Sequence, residues 1–158
     1  MNASRQQICI STAQGLDHAV KDLSATRAVV GFDGFVDEII AVVDKRYGSN
    51  RYDPVRTIAA MSEKIRNAAG ESSNYELVVK QRKLGGNGPI MANALACLGL
   101  RVNYLGNLGY PVIHPVFRDF ATRAEVKSIA EPGQTDALEF EDGKLLLGKH
   151  ESLGDVNW

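Results

Sequence analysis

The chain is expected to adopt an α/β fold, a parallel sheet flanked by helices, and three observations lead to that class. Compact apolar runs alternate along the 158 residues with segments whose apolar positions recur at helical spacing. The run Ala28-Val29-Val30-Gly31-Phe32 is apolar throughout and ends in a polar turn, the pattern of a strand buried on both faces of a parallel sheet. A glycine turn, Gly85-Gly86-Asn87-Gly88, then delivers the chain from a strand-like segment into an apolar helical one.

The elements follow in order. Over residues 11–23, Ala13, Leu16, Ala19, Val20 and Leu23 fall at helical spacing with Ser11 or Thr12 to cap the start, which predicts a surface helix. The strand at residues 28–32 carries Asp33 and Asp37 at its exit. Residues 39–46 begin apolar and end charged at Asp44-Lys45-Arg46, as a strand leaving the core would. Asp53-Pro54 is expected to open a helix whose inner side is Val55, Ile58, Ala59, Met61, Ile65 and Ala69, stopped at Gly70. Residues 75–83 read as another strand, with Leu77, Val78 and Val79 followed by Lys80, Arg82 and Lys83.

Beyond the glycine turn, Ile90, Ala94, Leu95 and Leu98 define a helix face, Ala92 and Ala96 permit close approach, and Gly99 ends the element. A strand at 102–105, a helix at 115–123, a strand at 126–129 and a hairpin of 137–140 with 144–147 about Asp142-Gly143 complete the chain. There is no internal repeat and no low-complexity linker.

Composition bounds the function. Hydrophobic residues are 44% and charged residues 23%, the balance of a globular protein with one core. A formal net charge of -1 gives no electrostatic reason to expect nucleic acid or an anionic membrane as partner, which leaves a small molecule. Cys9 and Cys97 lie far apart in sequence, Cys97 on what reads as a buried helix, and reduced thiols are expected rather than a disulfide. With Arg5 and Asp17 flanking only a short apolar group, and no run long enough to span a bilayer, the expected location is the cytoplasm. His18, His114 and His150 share no metal-ligand spacing, so surface or packing roles are expected and no metal site.

The glycine turn carries the chemistry. Two adjacent glycines let the backbone turn tightly and let a ligand approach the main chain. Asn87 can cap free N–H groups of the following helix or offer an amide that donates to and accepts from sugar hydroxyls, and Pro89 suits the first turn. A structural loop or a phosphate-binding turn of a Rossmann-like nucleotide domain are the alternatives. The turn lacks the G-x-G-x-x-G spacing of the latter, and no Walker A lysine motif is present.

In register, residues 83–99, KLGGNGPIMANALACLG, resemble the GGxxxNxAxxLxxLG signature of ribokinase-type (PfkB family) sugar kinases, with Gly85, Gly86, Ala92, Leu95, Leu98 and Gly99 in step. The signature asparagine falls on Ile90, and Asn93 lies nearby out of register. Upstream, VVGFDGFVDEI resembles the family's first strand and the aspartate that binds substrate hydroxyls. Asp37 is the better match, spaced as in the ADP-dependent branch, and Asp33 competes with it. A carboxylate suits this task because it accepts from two neighbouring hydroxyls. Leu105-Gly106-Asn107-Leu108-Gly109 resembles the second strand and its pocket-floor exit, and the segment 132–136 resembles one beside the substrate, which makes Gly109, Thr135 and Asp136 further candidates.

The resemblance implies a ribokinase-like α/β fold with a small β lid built from strands near 39–46 and 75–83, whose outer face can form a homodimer. It implies phosphorylation of a sugar or nucleoside hydroxyl with ATP and Mg2+. Residues 1–158 are expected to be the N-terminal part of one kinase domain, supplying the acceptor-binding half. The family's GxGD segment, with its catalytic base and anion hole, has no counterpart here, so the base is expected beyond residue 158, no catalytic residue is assigned, and the chain alone is expected to be inactive. A non-catalytic sugar-binding or dimerising module is the alternative.

Overall fold

The computed structural model describes residues 4–156. Helix α1 (Arg5–Leu23) begins six residues before the expected start, because Ser4 and Gln7 form a reciprocal capping box that Ser11 and Thr12 do not. Its apolar residues Ile8, Leu16 and Val20 are exposed. Strand β1 (Arg27–Val30) follows, then the long strand β2 (Phe35–Gly48) and the short β3 (Arg51–Pro54). Asp53-Pro54 therefore closes a strand instead of opening a helix. Helix α2 (Ile58–Asn67) starts later, where the Thr57 hydroxyl accepts from Ala60 N–H.

Strand β4 (Leu77–Gly85) leads through Gly86 into helix α3 (Asn87–Cys97), which ends at Gly99 with φ of 97°. Strand β5 (Arg101–Gly106), a 3-10 turn at Pro115–Phe117 running into the single-turn helix α4 (Arg118–Ala121), and strand β6 (Glu125–Ser128) come next. The hairpin β7 (Gly133–Phe140) and β8 (Gly143–Lys149) turns at Asp142-Gly143 as expected, and a 3-10 turn (Glu151–Asp155) follows it.

Two sheets result. The first is parallel, in the order β1-β5-β6. The second is organised by β2, which pairs antiparallel with β4 along one edge and parallel with β7 along the other, with β3 on its far end and β8 beyond β7. The expected lid strands thus exist and pair with each other, Asp37 opposite Lys83 and Val42 opposite Leu77.

The single core expected from length divides into two. One cluster, Val36, Ala92, Val102, Tyr104, Leu108, Phe117 and Phe120, fills the space between the parallel sheet and α3. The other, Ile40, Val42, Val55, Met61, Leu138 and Phe140, lies between the lid sheet and α2. The lid carries its own core because β2 runs for 14 residues, far beyond the parallel layer, and needs cover there.

Three packing expectations are corrected. Val29 is 83% exposed, so β1 is buried on one face only. In α3 the residues turned inward are Gly88, Pro89 and Ala92, while Ile90, Ala94 and Leu98 are exposed. Small side chains let the helix axis approach the sheet closely, and that rotates the bulkier residues outward. Cys97 is accordingly exposed, and Cys9 and Cys97 are both free thiols.

Candidate functional site

The site forms where the parallel sheet hands over to the lid, around the start of α3. Both glycines of the turn are required by close contacts. Gly86 has φ of 88°, and a Cβ there would overlap the carbonyl oxygen of Asp33. Gly85 leaves no Cβ where the Asp37 carboxylate lies.

The two competing aspartates have different surroundings. The Asp33 carboxylate spans the first turn of α3: Asn87 N–H donates to Oδ2 at 3.0 Å and Gly88 N–H donates to Oδ1 at 2.9 Å. It caps, from 54 residues away in sequence, a helix whose own first residue offers no side-chain cap. The cap expected of Asn87 is thus supplied by Asp33, and Asn87 keeps an exposed amide without a hydrogen bond among the described residues. Asp37 is half-buried in the central strand of the lid, between Lys83 of β4 and Thr135 of β7, and its carboxylate makes no hydrogen bond or ion pair among the described residues. A partly desolvated carboxylate with open lone pairs can accept from hydroxyls at little further desolvation cost.

Asn107, at the exit of β5, holds the site together. It is fully buried; its Oδ1 accepts from Gly34 N–H at 2.6 Å and its Nδ2 donates to the Gly34 carbonyl at 3.1 Å and the Glu131 carbonyl at 3.4 Å. The turn that presents Asp33 is thereby clamped to the exit of β5. The available signal was a fully amphoteric side chain in an apolar strand exit, where burial demands partners. Nearby, the Tyr104 hydroxyl is buried without a partner among the described residues, and burial, then the negative charge of Asp33, push its pKa up.

The remaining expected residues divide. Thr135 shares a sheet face with Asp37 through direct register. Asp136 stands on the opposite face and is paired with Lys149 at 2.8 Å. The Asn93 side-chain oxygen accepts from Arg123 at 3.0 Å, on the flank of α3 next to α4. Gly109 is buried with φ of 116° in the turn after β5, its N–H donating to Ala130 O at 3.0 Å. Asp33, Asp37, Gly85, Gly86, Asn87 and Thr135 therefore gather at one place, and Asn93, Asp136 and Gly109 do not.

A cavity of about 600 Å³ opens beside the group at the carboxyl ends of β1, β5 and β6, with Asp33, Asn107 and Lys127 on its wall. Ligand crevices of parallel sheets lie at this end of the strands. A second cavity, of about 550 Å³, lies in the lid near Arg51, Tyr52 and Lys80 and includes none of the expected residues. Among the described residues no three His, Cys, Asp or Glu side chains gather as metal ligands. The first amides of α3 are already engaged by Asp33. Those two amides are therefore not open to an incoming phosphate in this structure.

A parallel α/β layer thus bears a second, lid-like sheet, with the open Asp37 carboxylate at their junction. A family model described as prokaryotic ketohexokinase matches residues 10–158, and the chain belongs to that carbohydrate kinase family. A ketohexokinase from Haloferax volcanii is 31% identical over 134 residues, which is 84% of this chain and 36% of the relative, so the chain spans about a third of that relative's length. Among solved structures, a carbohydrate kinase from Agrobacterium tumefaciens is 16% identical with a TM-score of 0.48, over 78% of this chain and 35% of that one. A Methanocaldococcus jannaschii nucleoside kinase of the ribokinase family is 11% identical with a TM-score of 0.45, over 84% and 40%. No described helix is long and apolar enough to cross a membrane.

Proposed function

We propose that the protein is a PfkB-type kinase that phosphorylates a ketohexose in the cytoplasm with ATP and Mg2+, and that residues 1–158 supply the acceptor side of its active site. The observation that carries this reading is Asp37, a half-buried carboxylate left open at the base of a lid. Its two oxygens accept from neighbouring sugar hydroxyls. Thr135 offers a hydroxyl from the adjacent strand, and the Gly85-Gly86 backbone lets the sugar reach the mouth of α3. Asp33 and Asn107 keep that mouth in place, and the lid strands exclude water from the bound acceptor. The ketohexose is favoured over other sugars by the name of the Haloferax relative.

A homodimer through the lid belongs to the same reading, supported by Leu147 at 52% exposure on the face of β8 turned away from Asp37. Light scattering of the protein and of a Leu147→Glu variant checks it, with a shift to monomer expected in the variant. The function is tested by assaying ATP-dependent phosphorylation of D-fructose against aldohexoses and nucleosides. D-fructose is expected to have the highest kcat/KM, and Asp37→Asn to lose at least about a hundredfold of it, as the removal of a charge-assisted contact would. Equal turnover of aldohexoses, or an undiminished Asp37→Asn variant, would overturn the reading.

A further inference from the structure

The face of the lid that carries Asp37 extends across two more strands. Asp37 pairs with Thr135, and Thr135 pairs with Gly148. Gly148 is a glycine beneath another side chain: a Cβ there would overlap Nε2 of His150, so the imidazole folds back over β8 on the Asp37 side of the sheet. Two strand spacings separate the rows of Asp37 and Gly148, roughly 10 Å. The row therefore reads carboxylate, hydroxyl, imidazole, and Lys83 continues it on the other side of Asp37.

The imidazole is held but not used. The Phe35 ring meets it edge-on, with centroids 5.6 Å apart and planes at 83°. The His150 carbonyl accepts from Leu153 N–H at 3.0 Å, and Ser152 Oγ donates to the Pro132 carbonyl at 2.9 Å, tying the turn after β8 to the loop before β7. Neither ring nitrogen makes a hydrogen bond among the described residues, although the ring is fixed on the face that carries Asp37 and Thr135, with Lys83 in register beside Asp37. His150 is exposed to solvent, yet a glycine lies beneath its ring and an aromatic edge beside it.

We infer that His150 is a specificity-determining contact of the acceptor site, hydrogen-bonding a ketohexose hydroxyl on the flank away from Asp37. This rests on the acceptor-site reading above. Neutral imidazole offers one donor and one acceptor, so it pairs with a hydroxyl in either sense. His150 thereby joins the site although sequence spacing alone had left it as a surface or packing residue.

The test is calorimetric titration of the full protein, its Asp37→Asn, His150→Ala and Gly148→Ala variants, with D-fructose and its singly deoxygenated analogues, together with melting curves. His150→Ala and Gly148→Ala are each expected to weaken D-fructose binding roughly tenfold, the size of one good hydrogen bond, at a near-unchanged melting temperature. For one deoxy analogue the wild type is expected to bind as weakly as His150→Ala does, and the variant to lose nothing more. A structural role would instead weaken every analogue alike, and that pattern overturns the inference. If D-fructose binds, Asp37→Asn abolishes binding and His150→Ala stays within twofold, the inference falls and the acceptor-site reading stands. Should wild type bind no ketohexose, both fall.

Discussion

Replacing Asp33 by alanine should cost stability and leave the Asp37 carboxylate in place. The magnitude follows from the two amides that lose their acceptor. Asn87 is exposed, so its N–H returns to water, whereas Gly88 is buried and its N–H is stranded. A stranded buried donor costs about 1–3 kcal/mol. Loss of an anion at the start of α3 adds about 0.3–1 kcal/mol. The sum is roughly 1–4 kcal/mol with a midpoint of about 2.5 kcal/mol, and in a chain of this length each kcal/mol lowers the melting temperature by about 2–4 °C. A fall of roughly 5–10 °C is expected by circular dichroism, about half as much for Asp33→Asn, which keeps one acceptor. Asp37→Asn should melt at or slightly above the parent, since an unpaired half-buried charge is removed. If Asp33→Ala melted with the parent yet lost sugar binding while Asp37→Asn unfolded, the division of roles between the two aspartates would be refuted.

Gly85→Ala drives a methyl group into the Asp37 carboxylate, so D-fructose affinity should drop at least about tenfold while the far-ultraviolet spectrum is retained. Asn107→Ala removes one partner each from the N–H and the carbonyl of Gly34, which keep the Phe32 carbonyl and the Gly133 N–H, so a loss of about 1–2 kcal/mol in urea unfolding is expected. Tyr104→Phe removes an unpartnered hydroxyl and should leave neutral-pH stability unchanged or raised. Because the folded phenol's pKa lies above the ordinary 10.0, the stability it shares is present below pH 10 and is lost as pH rises past it. The variant's melting temperature should therefore decline less between pH 9 and 11, and superimposable alkaline profiles would count against the burial argument.

Much of the fold was readable because the relevant signals are local. The order of strands and helices follows from apolar spacing, the β7–β8 turn from Asp142-Gly143, and the end of α3 from Gly99. Errors arose where two local signals competed. Asp53-Pro54 suits a helix start, yet pairing of β3 with β2 prevailed and the helix waited for Thr57. In α3 Leu95 packs against the core as expected but Ile90 and Leu98 face outward, because the small residues set how closely the helix approached the sheet.

The sequence by itself determined that a carboxylate-bearing strand exit and a glycine turn exist, and the resemblance of those segments pointed to the family that the chain belongs to. Only the tertiary structure decided which carboxylate does what. Asp33 and Asp37 are four residues apart with similar neighbours, but one meets the amides of a helix 54 residues downstream and the other lies open between two lid strands. The same holds for Asn107, which clamps Gly34 from 73 residues away, and for His150, which reaches the face of Asp37 through two strand pairings. Those roles are set by contacts between distant segments, and composition, periodicity and spacing along the chain carry no record of such contacts.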